Sequence, residues 1–392
     1  MQNQPLAVGS RTSAGIDALR GVFALLVLLS HAWGSALLGA EARPSDSWVH
    51  FLDQTIGRGG FWVNGFFVLS GFCIHLSIIN ARAQQRYTAW GFALARCTRI
   101  YPTFLLSFAF ALIAAWISQW FDVPDKQSIT PTQMVATLCL MQVFTGTLAC
   151  FGQSWSISYE AIYYLAWPLL LLLVKYSGRL AAGLGVAVAS SVGLFGLVTW
   201  RLLDHGSTGS PLIIIWTIAI ASLLWLGGAF LAESWLELKW LRANAGVSLA
   251  VGCIGITVIY LLQAWLIGQG VRSALLFGTS LLSGPFFCLL IVGCEAFPVR
   301  PWSVSFIKKF GGDLSYPLYL LHGPAILLWI CILQATGSHP PFPLLFLENI
   351  SFGLLFALVV GLPFESALLS WRRKWLSEVS VPPLRASEQP GS

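Results

Sequence analysis

Apolar runs of about eighteen residues or more recur along this chain from Leu19 to Leu369, and each is long enough to cross the hydrocarbon of a bilayer as a helix. A water-soluble core cannot absorb so many. Hydrophobic residues make up 56% of the chain and charged residues only 10%, against about 25% charged in a soluble domain. The runs fall at about 19–40, 60–80, 101–121, 155–174, 180–200, 211–232, 245–267, 273–296, 314–335 and 344–370. They predict an all-α polytopic membrane protein: a bundle of about ten transmembrane helices with one extra, non-spanning hydrophobic segment.

That extra segment is 131–150. Thr132, Gln133, Thr137, Gln142, Thr145 and Thr147 give it more polar groups than a lipid-facing span carries. The basic residues supply a second reason. Arg82, Arg86, Arg96 and Arg99 follow the second run, and Lys175 and Arg179 follow 155–174. Arg300, Lys308 and Lys309 precede 314–335, and Arg372, Arg373 and Lys374 follow the last run. All of these clusters share one side only if 131–150 does not cross, and the positive-inside rule makes that side cytoplasmic. Both termini are then cytoplasmic, and 131–150 is re-entrant or lies on the outer surface.

The net charge of +6 belongs to these loops and does not imply nucleic acid. Residues 1–14 read as a cytoplasmic segment, polar and without the apolar core of a signal peptide. Residues 15–371 read as one transmembrane domain, and 372–392, ending in VPPLRASEQPGS, as a disordered cytoplasmic tail. The eight cysteines lie mostly inside apolar runs with no CxxC pair. They read as small buried side chains, and no metal site is expected.

Polar residues interrupt the apolar runs in five places. In LRGVFALLVLLSHAWGS, Arg20 and His31 are eleven residues apart. At about 100° and 1.5 Å per residue they share a helix face and lie roughly 16 Å apart along it. On the topology above, Arg20 is inside and His31 in the outer half. An ionisable residue at that depth is a functional hypothesis by default, although a hydrogen-bonded helix contact accounts for it equally well. A histidine there is expected as the neutral imidazole, able to accept a proton as a general base does.

In VNGFFVLSGF, Asn64 and Gly71 share a face with His75, while Gly65, Ser70 and Gly71 allow close helix approach. A helix-packing seam is the simpler reading, with His75 structural. In ARCTRIYP, Arg96 and Arg99 lie on one face at the cytoplasmic entrance to the third helix, with Pro102 in its first turn. Paired guanidinium groups suit phosphates arriving from the cytosol; positive-inside anchoring explains the same spacing.

In SWSISYEAIYYLAWP, Ser156, Glu160, Tyr163 and Trp167 recur at helical spacing. Glu160 is expected near the outer end of its helix, as an interfacial carboxylate or as part of a polar site lined by aromatic surface, as carbohydrate sites often are. In LSYPLYLLHGP, Ser315, Tyr319 and His322 stack on one face within two turns. A second membrane histidine beside tyrosine and serine points to proton handling or catalysis ahead of simple packing, the alternative reading.

Taken in order, these stretches resemble the integral-membrane acyltransferase-3 family, whose members include bacterial glycan O-acyltransferases. An LRG…H helix is matched by Leu19, Arg20, Gly21 and His31, and FFxLSGF by Phe66 to Phe72. RxxRIxP is matched by Arg96, Arg99, Ile100 and Pro102, and WSxxxE…Y by Trp155, Ser156, Glu160 and Tyr164. SYxxYLxH is matched by Ser315, Tyr316, Tyr319, Leu320 and His322. The resemblance covers roughly residues 15 to 370. Ala95 stands where relatives carry the first arginine of the cluster, so the phosphate clamp is expected to be leaner. Relatives often carry an extracytoplasmic hydrolase-like domain after the helices. None follows here up to residue 392, so any second transfer step is expected elsewhere or not at all.

The resemblance implies transfer of an acyl group, usually acetyl, from cytoplasmic acyl-CoA to a hydroxyl of a cell-surface or lipid-linked glycan, in a bacterial inner membrane. Acyl-CoA (acetyl-CoA first) would be a co-substrate, with no cofactor bound permanently. His31 would be the essential catalytic residue, and Arg20, Arg96 and Arg99 would bind the donor or shape its channel. His31 is expected to act as general base, with Glu160 orienting or charge-stabilising it. Asn64, Trp155, Ser156, Tyr316 and His322 are the candidates for acceptor or oxyanion binding. A covalent acyl-histidine route stays open. The rival reading is a proton-coupled secondary transporter using the same buried His/Glu/Arg cluster; it should show inverted repeats and broken helices in corresponding halves, and the sequence shows neither.

Overall fold

The computed structural model describes residues 6, 8–39, 47–123, 129–202, 211–270, 273–297 and 300–379, and among these there is no strand. The first half runs α1 (Ser10–Gly39), α2 (Ser47–Ile56), α3 (Gly59–Ala83), α4 (Ala89–Ser118), α5 (Pro131–Leu138), α6 (Trp155–Leu173), α7 (Gly178–Leu202) and α8 (Pro211–Ser234). The second runs α9 (Lys239–Ala243), α10 (Ala245–Gly268), α11 (Ser273–Leu282), α12 (Gly284–Gly293), α13 (Pro301–Phe306), α14 (Ser315–Ala335), α15 (Phe342–Phe356) and α16 (Leu362–Val379). Among the described residues nine stretches are long and apolar enough to cross a membrane, and Gly178–Leu194 within α7 is a shorter apolar helix. Each coincides with one of the ten expected runs. The chain is an all-α polytopic membrane protein.

The termini of several elements differ from expectation. α1 begins at Ser10, well before the apolar run, and α16 continues to Val379. The remainder of the expected disordered tail, 380–392, lies outside the described residues. α4 begins at Ala89, where Thr88 caps it by accepting from the Gly91 amide at 3.0 Å. Pro102 therefore lies inside α4 rather than in its first turn, and Arg96 and Arg99 sit two to three turns into the helix, not at its mouth.

α1 is the central rod, touching α3, α12, α14 and α15. α3 packs along α8, and the FFVLSGF seam explains why. A Cβ at Gly71 would run into the Trp225 carbonyl, and one at Gly228 into the Val68 carbonyl, so the two backbones touch. Small residues are what permit that approach where lipid supplies no hydrophobic drive between helices. His75 lies in the same seam, 2.7 Å from Glu233 Oε2 through Nε2 and accepting from Trp167 Nε1 at 3.3 Å through Nδ1. Both ring nitrogens are used, which agrees with a structural histidine.

Residues 131–150 form no long helix. α5 is a single eight-residue piece with a Thr130/Gln133 capping box, followed by 3₁₀ turns at Gln142–Phe144 and Ala149–Ser154. The second of these turns dips into the bundle. Gln153 Nε2 donates to Leu320 O at 2.8 Å, Gln142 Nε2 donates to Ser154 O at 2.7 Å, and the Cys150 carbonyl lies against Gly323, halfway along α14. Irregular backbone at that depth survives only where protein groups or a cavity satisfy it, and here side-chain amides do so. The dip starts α6 deep in the bundle.

Candidate functional site

The end of the bundle at which α1 begins is here called the near end. A cavity of about 170 Å³ opens there, lined by Arg20, Arg96 and Arg99 together with Glu160, Tyr164 and Tyr316. α1 supplies Arg20, whose Nη2 reaches the Cys73 sulfur at 3.4 Å and whose Nη1 reaches Asp17 at 3.5 Å. α4 supplies the other two arginines. Arg96 Nη2 donates to Ser77 Oγ at 3.2 Å, while its buried Nε has no partner. Arg99 pairs with Glu365 and lies 5.0 Å over the Tyr316 ring. Tyr316 itself donates to the Ile100 carbonyl at 3.1 Å. Three guanidinium groups thus line one cavity.

Glu365 is the functional neighbour that sequence reasoning missed. It is fully buried in α16, held by Arg99 and by Thr103 Oγ1 at 2.6 Å. Its only signal was an acid, one of two with Glu348, inside the last apolar run. Arg372, about two turns farther along α16, donates to the Ala95 carbonyl at 3.0 Å and ties α16 to α4.

A second cavity, about 390 Å³, lies towards the other end of α1, lined by His31, Ser35, Gly60, Gln153 and Gly323 among others. Here α1 meets α14. His31 Nδ1 is 2.7 Å from His322 Nε2, and His322 Nδ1 is 2.9 Å from the Leu318 carbonyl. The carbonyl can only accept, so His322 carries its proton on Nδ1 and offers the Nε2 lone pair. His31 must then donate from Nδ1, which leaves its own Nε2 lone pair available to the cavity. Ser30, on the neighbouring position of α1, accepts from the Gly59 amide at 2.7 Å and holds the start of α3 beside the histidine.

The wall between the two cavities is a hydrogen-bonded cluster. The Tyr319 hydroxyl donates to the Gln153 carbonyl at 2.8 Å and takes the Ser156 hydroxyl at 2.7 Å. Ser156 and Tyr319 line the arginine cavity; Gln153 lines the histidine cavity.

The structure therefore brings together some of the expected residues and separates others. Arg20, Arg96 and Arg99 share a cavity, as do His31 and His322 in theirs. Glu160 does not orient His31: it accepts from Tyr164 at 3.1 Å and faces the arginines, because α6 starts deep in the bundle rather than at its outer surface. The partner of His31 is His322. Ser156 and Tyr316 line the arginine cavity, whereas Asn64 and Trp155 line a third one between α3, α6 and α8. Among the described residues no group of three His, Cys, Asp or Glu side chains could hold a metal ion.

Comparison with known proteins bears on the chemistry. The acyltransferase domain model matches residues 13–366. An uncharacterized protein of Haemophilus influenzae is 33% identical over 118 residues, which are 28% of this chain and 47% of that protein, so the chain spans about half the length of this curated relative. No solved structure matches. The domain match runs from the first turn of α1 into α16 and takes in every helix that contributes to the arginine and histidine cavities. A match of that extent settles the family: the chain belongs to the acyltransferase-3 family.

Proposed function

We propose that the protein is a membrane O-acyltransferase that takes an acyl group, acetyl first, from acyl-CoA and gives it to a hydroxyl of a cell-surface or lipid-linked glycan. The observation that carries this reading is the division of labour between two cavities: convergent guanidinium groups in one, a histidine with an open Nε2 lone pair in the other, and the Tyr319–Gln153 hydrogen bond linking their walls. Arg20, Arg96 and Arg99 hold the coenzyme phosphates, for which planar, multi-donor cations are well suited. The thioester arm reaches past Tyr319 towards His31.

His31 Nε2 then takes the proton of the acceptor hydroxyl as its oxygen attacks the thioester carbonyl. The C–O bond forms, the C–S bond breaks, and the proton passes from His31 to the departing thiolate. His322 Nε2 accepts from His31 Nδ1 throughout and stabilises the imidazolium that forms transiently. In the resting protein Tyr319 donates to the Gln153 carbonyl and Ser156 to Tyr319; either hydroxyl would have to turn from that partner to donate to the carbonyl oxygen as it gains charge. Glu160 balances the arginines rather than serving the base.

The near end is read as cytoplasmic in a bacterial inner membrane, with both termini there. Its support is the basic residues on the segments that join the helices there: Arg82 at the end of α3 donates to the Tyr176 carbonyl at 2.8 Å, Arg179 stands at the start of α7, and Lys308 just after α13. The transporter reading has no support from the family match.

The test is label transfer from radiolabelled acetyl-CoA to envelope glycans by membranes carrying wild-type, His31→Gln or Arg96→Ala protein. The wild type should label glycan, His31→Gln should abolish labelling, and Arg96→Ala should raise the KM for acetyl-CoA roughly tenfold or more, as loss of a charge-assisted contact does. Undiminished labelling by His31→Gln would refute the assignment.

A further inference from the structure

The third cavity, about 430 Å³, has a composition unlike the other two. Aromatic rings form one side: Trp155 and Tyr159 meet edge to face at 4.9 Å, and Phe67 stacks on Tyr159 at 6.0 Å with the rings 4° from parallel. Polar groups complete the lining. Arg58 donates to the Tyr260 carbonyl at 2.8 Å and to Gln263, so its charge is already engaged at the rim. Asn64 differs. The residue is only 8% exposed, its Nδ2 has no partner, and it lines the cavity. A buried amide donor without a partner is rare enough in folded proteins to need an explanation, and an absent ligand oxygen supplies one.

Gly60 is the link to the chemistry. It lines both this cavity and the one containing His31, it is exposed, and a Cβ placed on it would meet no atom within 4 Å. The two spaces adjoin over a residue with no side chain.

We propose that the aromatic cavity is the acceptor site and that it takes a saccharide: a sugar ring lies on the Trp155 and Tyr159 surface, Asn64 Nδ2 donates to one of its hydroxyls, and the hydroxyl to be acylated extends over Gly60 to His31 Nε2. Aromatic faces suit the apolar face of a sugar, and an isolated amide donor suits its hydroxyl edge. An alkyl chain would satisfy the aromatic wall but leave Asn64 unpaired. The proposal rests on the acyltransferase reading above and deepens it.

The test uses the full-length protein in lipid nanodiscs, radiolabelled acetyl-CoA as donor, and the total envelope glycan extracted from the expressing cells as acceptor probe. In Asn64→Leu the KM for glycan should rise about three- to tenfold, the range for one lost neutral hydrogen bond, with the KM for acetyl-CoA within about twofold. Its unfolding midpoint should stay level or rise, because an orphaned donor has been removed; a purely structural role for Asn64 would lower the midpoint and leave the two KM values in proportion. In Gly60→Val, where the added side chain meets no protein atom at Cβ, the midpoint should again hold while glycan acylation falls at least tenfold. An unchanged glycan KM in Asn64→Leu, or full glycan acylation by Gly60→Val, would overturn the proposal. A lower glycan KM in Asn64→Leu would assign the cavity to an apolar chain and overturn it too. If the wild type labels no saccharide, the reading beneath fails as well; if it labels normally and both variants match it, only the site is wrong.

Discussion

Replacing His322 by leucine isolates what the histidine pair contributes. In the resting protein the His31 proton sits on Nδ1 because His322 Nε2, 2.7 Å away, is there to accept it, and the Leu318 carbonyl at 2.9 Å fixes His322 in the matching tautomer. When His31 takes the acceptor's proton it becomes a cation, and that same hydrogen bond becomes charge-assisted. A hydrogen bond to a charged group contributes about 1.5–3 kcal/mol, which at about 1.36 kcal/mol per decade predicts a 10- to 150-fold loss of kcat in His322→Leu. The donor KM should stay within about twofold, because the arginine cavity lies on the other side of the Tyr319 wall. Leucine suits a site that is fully buried, and the carbonyl it leaves behind lies within α14, so the protein should still fold. The assay is single-turnover transfer from radiolabelled acetyl-CoA in nanodiscs, with an unfolding midpoint as the control for folding. His322→Gln should recover part of the loss, since its amide oxygen can accept from His31 Nδ1. A folded His322→Leu protein with kcat within threefold of the parent would refute the reasoning.

Glu365→Leu should be far more damaging to the fold than its distance from His31 suggests. It leaves Arg99 without its buried counter-ion, a loss of up to about 3–5 kcal/mol for a broken buried pair, read as a lowered unfolding midpoint that Arg99→Met in the same chain partly restores. Gly71→Val should prevent α3 from closing on α8, since its Cβ alone strikes the Trp225 carbonyl; the readout is loss of the monodisperse solubilised protein, and a normally behaved Gly71→Val would contradict the seam. A chain whose cysteines other than Cys73 are replaced by serine or alanine should be inactivated by N-ethylmaleimide and protected by acyl-CoA, because Cys73 lines the arginine cavity beside Arg20; inactivation at the same rate with and without acyl-CoA would place the coenzyme elsewhere.

The spans were legible because apolar run length and the distribution of arginine and lysine act along the chain, one segment at a time. The rejection of 131–150 as a span rested on the same local logic, and α5 with its 3₁₀ turns agrees with it. Face arguments also worked where a single helix was involved, as for Arg20 and His31, which do line successive cavities along α1. What one sequence does not encode locally is which face meets which. Spacing along the apolar run puts Glu160 near the outer end of its helix; the dip at Ala149–Ser154 starts that helix in mid-bundle, so Glu160 lines the arginine cavity. Asn64 and Trp155 carry the same kinds of group as Ser156 and Tyr316, yet they open into a different cavity, because their helix faces diverge by a residue or two around α3 and α6. Glu365 pairs with Arg99 from 266 positions away, and no spacing rule reaches that far.

The central claim is that the coenzyme enters at the arginine end and the acyl group leaves by way of His31. Proteoliposomes sorted to a single orientation, with glycan acceptor present on both faces and radiolabelled acetyl-CoA supplied to one face at a time, measure this directly. Glycan should be labelled when acetyl-CoA is given to the face bearing the start of α1 and not when it is given to the opposite face, with His31→Gln silent in both. Equal labelling from either face, or labelling only from the far one, would contradict the account.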